Sequence, residues 1–223
     1  MFNFLLDKFP KEYMGYEIRT NFTIGVKLSI AMLEIDSKDK RLFIECKNLL
    51  FKNPDEIPNS IVGDAVSWFL KGGATPYGVS DEFKDEDEDT SVFDDIATST
   101  EVQKVLEEDN APSFDFRYDS SFIYSAFKRY YPSIDLQKDY IHWWEFLVLL
   151  SDMGECSFTK IKEFRTIDMR DLSKEQKKFY REMKGTYKLP PSKLEIEGAK
   201  LAYGEDWRKS PAVMGYWYSD ILE

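Results

Sequence analysis

Cysteine is nearly absent from this chain of 223 residues. The two that occur, Cys46 and Cys156, lie 110 positions apart and belong to no CxxC or Cys/His cluster. Zinc centres and dithiol redox motifs need close spacings, so both are disfavoured, and no metal or cofactor is expected. Histidine occurs once, as His142. Any acid–base mechanism that needs an imidazole must use that residue. No GxxxxGK[ST] or GxGxxG loop is present to cradle a phosphate, and no Ser or Cys sits in a recognisable nucleophile elbow. The reading is that of a protein that is not an enzyme, with no catalytic residues to assign.

Positive charge is in deficit. Thirty Lys and Arg against 41 Asp and Glu give a net charge of −11. Such a balance opposes general attraction to nucleic-acid phosphates and to anionic lipid. A protein or small-molecule partner is favoured. No apolar run approaches the roughly 20 residues that a membrane-spanning helix requires. The opening Met-Phe-Asn-Phe-Leu-Leu-Asp has neither a basic n-region nor a long apolar core, so the cytoplasm is the expected location.

The chain is organised around the run from Tyr140 to Leu150, in which only His142 and Glu145 are polar. Tyr140, Trp143, Trp144, Leu147 and Leu150 follow helical spacing, and Ile141, Phe146 and Val148 widen the apolar face past half the circumference. A helix apolar nearly all round must be wrapped by other elements. Trp68, Phe127, Trp143, Trp144 and Leu147 are therefore the expected core.

Residues 1–73 read as an N-terminal arm followed by three helices. Leu5, Leu6, Phe9, Tyr13, Tyr16 and Ile18, with Pro10 and Gly15, suit a short hairpin or extended arm, with Tyr16 to Arg19 as its strand. Asn21 or Thr20 can cap the first helix, Phe22 to Ile35, in which Gly25 is a weakening defect. The second helix runs from Asp39 to Phe51 and ends at Asn53-Pro54. Asn59 or Ser60 can cap the third, which carries Trp68 and ends at Gly72-Gly73.

Residues 74–112 form an acidic linker or insertion, with charge of one sign through Asp81 to Asp89. Asp85, Asp87 and Asp89 imitate the start of a calcium loop, but Thr90 replaces its glycine and Ile96 its bidentate glutamate. Thr100 to Glu108 has the spacing of a short helix. Residues 113–188 are the second helical half of the same domain. Asp119 is read as a cap for the helix through Phe127 to Tyr130, Ser157 as the cap of another, and Ser173 with Gln176 as a capping box. Residues 189–223 are a C-terminal docking extension whose aromatics include Trp207, Tyr216, Trp217 and Tyr218. The fold expected is mainly α, a multi-helix domain around one buried helix with a small N-terminal β element.

Each candidate site has a plainer counterpart. His142 beside Glu145 reads first as a hydrogen-bonded core or boundary histidine, and a His142–Glu145 acid–base pair is the sharper alternative. Trp143-Trp144 reads as core before it reads as a ligand pocket. The basic cluster from Lys160 to Lys188, with Lys177, Lys178 and Arg181 at its centre, is a solvated face, a complement to the acidic linker, or a docking site for another protein. With Trp207, Tyr216, Trp217 and Tyr218, these three cations are the candidate partner-binding residues.

In order, Tyr16-Glu-Ile-Arg-Thr-Asn-Phe22, Ala65-Val-Ser-Trp-Phe-Leu-Lys-Gly-Gly73, Phe114-Asp-Phe-Arg-Tyr-Asp119, Ile134-Asp-Leu136, Ile141-His-Trp-Trp-Glu-Phe146 and Phe164-Arg-Thr-Ile167 resemble the bacteriophage gp-fifteen family of long-tailed phages and prophages of Gram-positive bacteria. The resemblance spans about residues 12–188. It implies a tail assembly chaperone encoded between the major tail protein and the tape-measure protein, with those two as partners, in the cytoplasm of the infected or lysogenic host. It carries no catalytic residues. A structural tail or adaptor component retained in the virion is the alternative, and homo-oligomerisation stays open.

Overall fold

A computed structural model describes residues 2–35, 39–72, 113–210 and 213. Among these residues the chain is mainly helical, with a single two-stranded sheet. Strands β1 (Glu12–Tyr13) and β2 (Tyr16–Glu17) pair antiparallel in the register Glu12↔Glu17 and Tyr13↔Tyr16. The turn between them holds both Met14 and Gly15 at positive φ, 51° and 83°. Tight hairpins need that mirror-image turn to match strand twist, and glycine adopts it without penalty.

The strand expected through Arg19 stops at Glu17. Beyond it, Ile18 bridges Phe51 at the end of the second helix, with Arg19 N–H donating to Leu50 O at 2.7 Å. The Arg19 guanidinium donates to the carbonyls of Asn48, at 2.7 Å, and of Phe51. A cation on the last free carbonyls of a helix is favoured by the helix dipole. Arg19 thus ties the hairpin to that helix.

The helices are α1 (Phe22–Glu34), α2 (Lys40–Leu50), α3 (Val62–Leu70), α4 (Ser120–Tyr130), α5 (Trp143–Ser151), α6 (Ser157–Thr166), α7 (Lys174–Thr186) and α8 (Lys193–Tyr203). Helix α1 packs on α2, α3, α5 and α8, while α4 packs on α6 and α6 on α7. Asn21, Asp39 and Ser173 cap α1, α2 and α7 through side-chain oxygens, each accepting a first-turn amide. Ser173 and Gln176 close their box in both directions.

Three other cap assignments are corrected. Helix α3 is entered through a 3-10 turn at Asn59–Ile61, and Ile61 stands at the N-cap without a side-chain bond. The turn's own backbone hydrogen bonds serve in place of a capping oxygen. Ser157 is already inside α6, whose N-cap is Cys156; the Thr159 hydroxyl accepts the Cys156 N–H at 2.9 Å. Asp119 occupies the N-cap position of α4 but makes no capping bond. Its carboxylate is engaged elsewhere, as described below.

The central helix starts at Trp143, three residues later than Tyr140. His142 is extended (φ −65°, ψ 142°) and caps α5 with its ring. The segment before it pairs with the segment before α1: Trp143 N–H donates to Thr20 O and Phe22 N–H to Ile141 O, both at 2.8 Å. Those bonds take the Trp143 amide and the Ile141 carbonyl that a longer helix would have used. Tyr140 is consequently 64% exposed, its helical spacing notwithstanding.

Trp143, Trp144, Phe146 and Leu150 of α5 are buried, as is Phe127 of α4. Leu147 and Trp68 are partly covered and pack against that core from its margin. Phe146 stacks on Phe127 at 5.0 Å and on Phe22 at 4.8 Å. Gly25, expected as a defect in α1, is a packing requirement. A Cβ there would fall 2.0 Å from the Trp143 ring, so only glycine lets the indole lie against the helix backbone.

Candidate interaction site

The N-terminal turn begins with Asn3. Its side-chain oxygen accepts Leu5 N–H at 2.9 Å, its carbonyl accepts Asp7 N–H at 2.8 Å, and Asp7 accepts Asn3 N–H at 2.8 Å. These local bonds close residues 3–7 into a loop that needs no partner to hold its shape. Aromatic residues fix it to the body. Phe2 meets the Trp144 ring at 4.9 Å, Phe9 stacks on His142 at 4.5 Å, and Phe4 packs on both phenylalanines. Trp144 then contacts Trp68, which contacts Tyr13 of the hairpin.

At the tip of this loop Leu5 and Leu6 are 93% and 81% exposed, and Met14 at the hairpin tip is 72% exposed. Covering an exposed leucine is worth roughly 1.5–3 kcal/mol, so two held in a fixed turn form a ready anchor for an apolar surface. Sequence reasoning placed Leu5 and Leu6 in the arm without assigning them a role. The signal was the apolar pair itself, flanked by the turn-forming Asn3 and Asp7.

His142 serves this arm. Its Nδ1 accepts Trp144 N–H and its Nε2 donates to Pro10 O, both at 3.2 Å. Desolvation in this apolar setting lowers its pKa to about 4, against a smaller opposing effect of the Pro10 carbonyl. Glu145 points outward and is exposed. The structure does not bring the two together, and both ring nitrogens are already occupied. The plainer reading of His142 is therefore the observed one.

Asp115 and Asp119, which share one turn, belong to a polar tie at the start of the second half. Asp119 receives Arg165 through both carboxylate oxygens at 2.6 and 2.9 Å, and both residues are buried. Arg165 also donates to Ser113 O and to Tyr187 O at the end of α7. Asp115 pairs with Arg117, which reaches Glu34 of α1 at 3.2 Å. The hydrogen bond to Asp115 raises the Arg117 pKa further above its ordinary value. Arg165, counted among the clustered basic residues, is a buried structural cation.

The other predicted partner residues are scattered. Lys178 and Arg181 are exposed on α7, and Lys177 is partly covered and donates to Arg170 O at 2.9 Å. Trp207 lies in the 3-10 turn Gly204–Lys209 after α8, half-buried, with Lys200 and Arg208 cations over its ring at 5.1 and 4.7 Å. Tyr216, Trp217 and Tyr218 lie outside the described residues, as do the calcium-like aspartates and the Thr100–Glu108 segment.

Among the described residues no group of three or more His, Cys, Asp or Glu side chains could hold a metal, and both cysteines are free and buried. No helix there is long and apolar enough to cross a membrane. A surface depression of about 280 Å³ is open and lined by residues 21–23 and 136–140, and His142 is not part of its lining. The described residues thus form a helical body that presents an apolar loop to solvent. A family model described as Bacteriophage Gp15 protein matches residues 5–189, and the chain belongs to that family, a phage structural or morphogenesis protein. No curated protein and no solved structure matches the chain.

Proposed function

We propose that this protein is a tail assembly chaperone that keeps the tape-measure protein soluble and helps to recruit the major tail protein around it. It acts by binding, without catalysis and without a cofactor, in the cytoplasm of the bacterial host. Family membership supplies the phage setting. The observation that carries the reading is the loop at residues 3–7, whose two leucines are presented to solvent on an aromatic base. A long helical client with apolar stripes needs covering until tube subunits polymerise, and small apolar anchors can cover it reversibly. Weak individual contacts gain strength from many copies and still release.

Co-expression with the tape-measure protein encoded nearby tests the proposal. The expected result is a soluble complex, which Leu5→Ser with Leu6→Ser reduces by tenfold or more while unfolding stability changes by less than about 0.5 kcal/mol. An insoluble tape measure and no complex would remove the chaperone role. Recovery of the protein from purified virions would then favour the retained structural component.

A further inference from the structure

Net charge is unevenly distributed along this chain. Residues 73–112 hold 13 acidic and two basic side chains, so the other residues balance at 28 of each sign. Residues 157–189 hold ten basic side chains against five acidic. The imbalance is greatest on α7. That helix lays one side on α6, where Phe164 meets Phe179, Tyr180 and Tyr187 at 5.7–6.2 Å. Lys174, Lys178 and Arg181, at helical positions i, i+4 and i+7, form a stripe on another side, and all three are exposed. Among the described residues they make no ion pair or hydrogen bond through their side chains.

Such a stripe is unfavourable as it stands. The like charges of Lys174 and Lys178 at i,i+4 cost the helix a few tenths of a kcal/mol, and Lys174 adds a cation at the positive end of the dipole. We propose that this stripe docks the chain's own acidic stretch, residues 81–95, which carries nine acidic side chains and one lysine. The point of return favours it. Ser113, the first described residue after the stretch, is held by Arg165, and the same guanidinium holds Tyr187 at the end of α7. The 17 intervening residues, 96–112, can reach about 55 Å when extended, whereas the stripe is only about 10 Å long. The contact is electrostatic, so salt weakens it. It concerns the free chain and stands apart from the assembly role.

Carbodiimide cross-linking of the full chain at low salt, read by mass spectrometry, tests the docking. The surface pairs Lys52–Glu17 at 3.1 Å and Lys160–Glu155 at 2.7 Å provide internal standards. Amide links from Lys174 and Lys178 to residues 85–89 are expected within single copies, falling several-fold at 0.5 M NaCl. Exchanging the signs, with Lys174→Glu, Lys178→Glu and Arg181→Glu against Asp85→Lys, Glu86→Lys and Asp87→Lys, should restore links of reversed polarity. The proposal is overturned if the standards link and the stripe does not, or if mixed isotopic copies show that the links form only between molecules. Failure of the sign exchange in a variant with unchanged circular dichroism would overturn it as well.

Discussion

Helices α5 and α7 sit at opposite extremes of this molecule. The nine residues of α5 bury four large side chains against α1, α3 and α4 and expose a strip at Glu145 and Val148, whereas among the described residues the 13 of α7 bury none and pack chiefly on α6. A helix like α5 is held by burial and tolerates poor local propensity. One like α7 depends on its capping box, on a half-covered aromatic face and on a single arginine at its far end. Docking surfaces are more easily built on the second kind, since its charges and apolar side chains stay in solvent.

The sharpest way to separate the two regions is Arg165→Ala. It strands the buried Asp119 carboxylate and frees Tyr187, so a loss of about 3–5 kcal/mol is expected in denaturant unfolding. Amide exchange should rise first in α6 and α7. Pairing Asp119→Leu with Arg165→Met should recover much of that loss, because an apolar pair leaves no buried charge. If the single variant costs less than 1 kcal/mol, α7 does not hang on that tie.

Gly25→Ala attacks the other region. A methyl group 2.0 Å from the Trp143 ring must displace an indole already stacked near Phe69 and Phe146, costing about 2–3 kcal/mol. Tryptophan fluorescence should shift with the melting temperature, while exchange in α7 stays unchanged outside global unfolding.

Acid should weaken the α5 side by a comparable or smaller amount. His142 is held neutral in the fold, its pKa pushed down to about 4 from an ordinary value near 6.5. Between those values the unfolded chain binds the proton and the folded one does not. The contribution is therefore complete above pH 6.5, declines as pH falls, and levels off below about 4, a total of about 3 kcal/mol. His142→Asn keeps a capping oxygen and should flatten that part of the stability–pH curve. The smallest effect is Ser173→Ala, which removes one capping bond and should cost about 1 kcal/mol. Hydrogen exchange confined to the first turn of α7 would register it.

Several features of the fold were legible in the residues, and their common property is short range. Asn21 and Ser173 cap helices that begin one residue later, so the signal and its structural effect lie within one turn. The helical period through Trp143, Trp144 and Leu150 likewise placed the core. The failures share a property as well. Tyr140 keeps perfect helical spacing, yet backbone bonds from Thr20 and Phe22, 120 positions away, end the helix before reaching it. Asp119 looks like a cap from its neighbours and is claimed by Arg165, 46 residues on. Gly25 looks like a weak point until Trp143 is laid against it.

The candidate site divides along the same line. Local turn chemistry in Asn3 and Asp7 could mark a closed loop, but nothing local shows that Phe2 and Phe9 would bind Trp144 and His142 and leave Leu5 and Leu6 outside. The basic stripe on α7 was visible as composition; its exposure was not, because Arg165 in the same cluster turned inward while Lys178 and Arg181 turned out. Helical class, the caps at Asn21 and Ser173, the central aromatic run and the charge pattern follow from residues within a few positions of one another. The helix register at Tyr140, the buried Asp119–Arg165 pair and the presented leucines were settled by packing, since each depends on which distant surface removes a group from water.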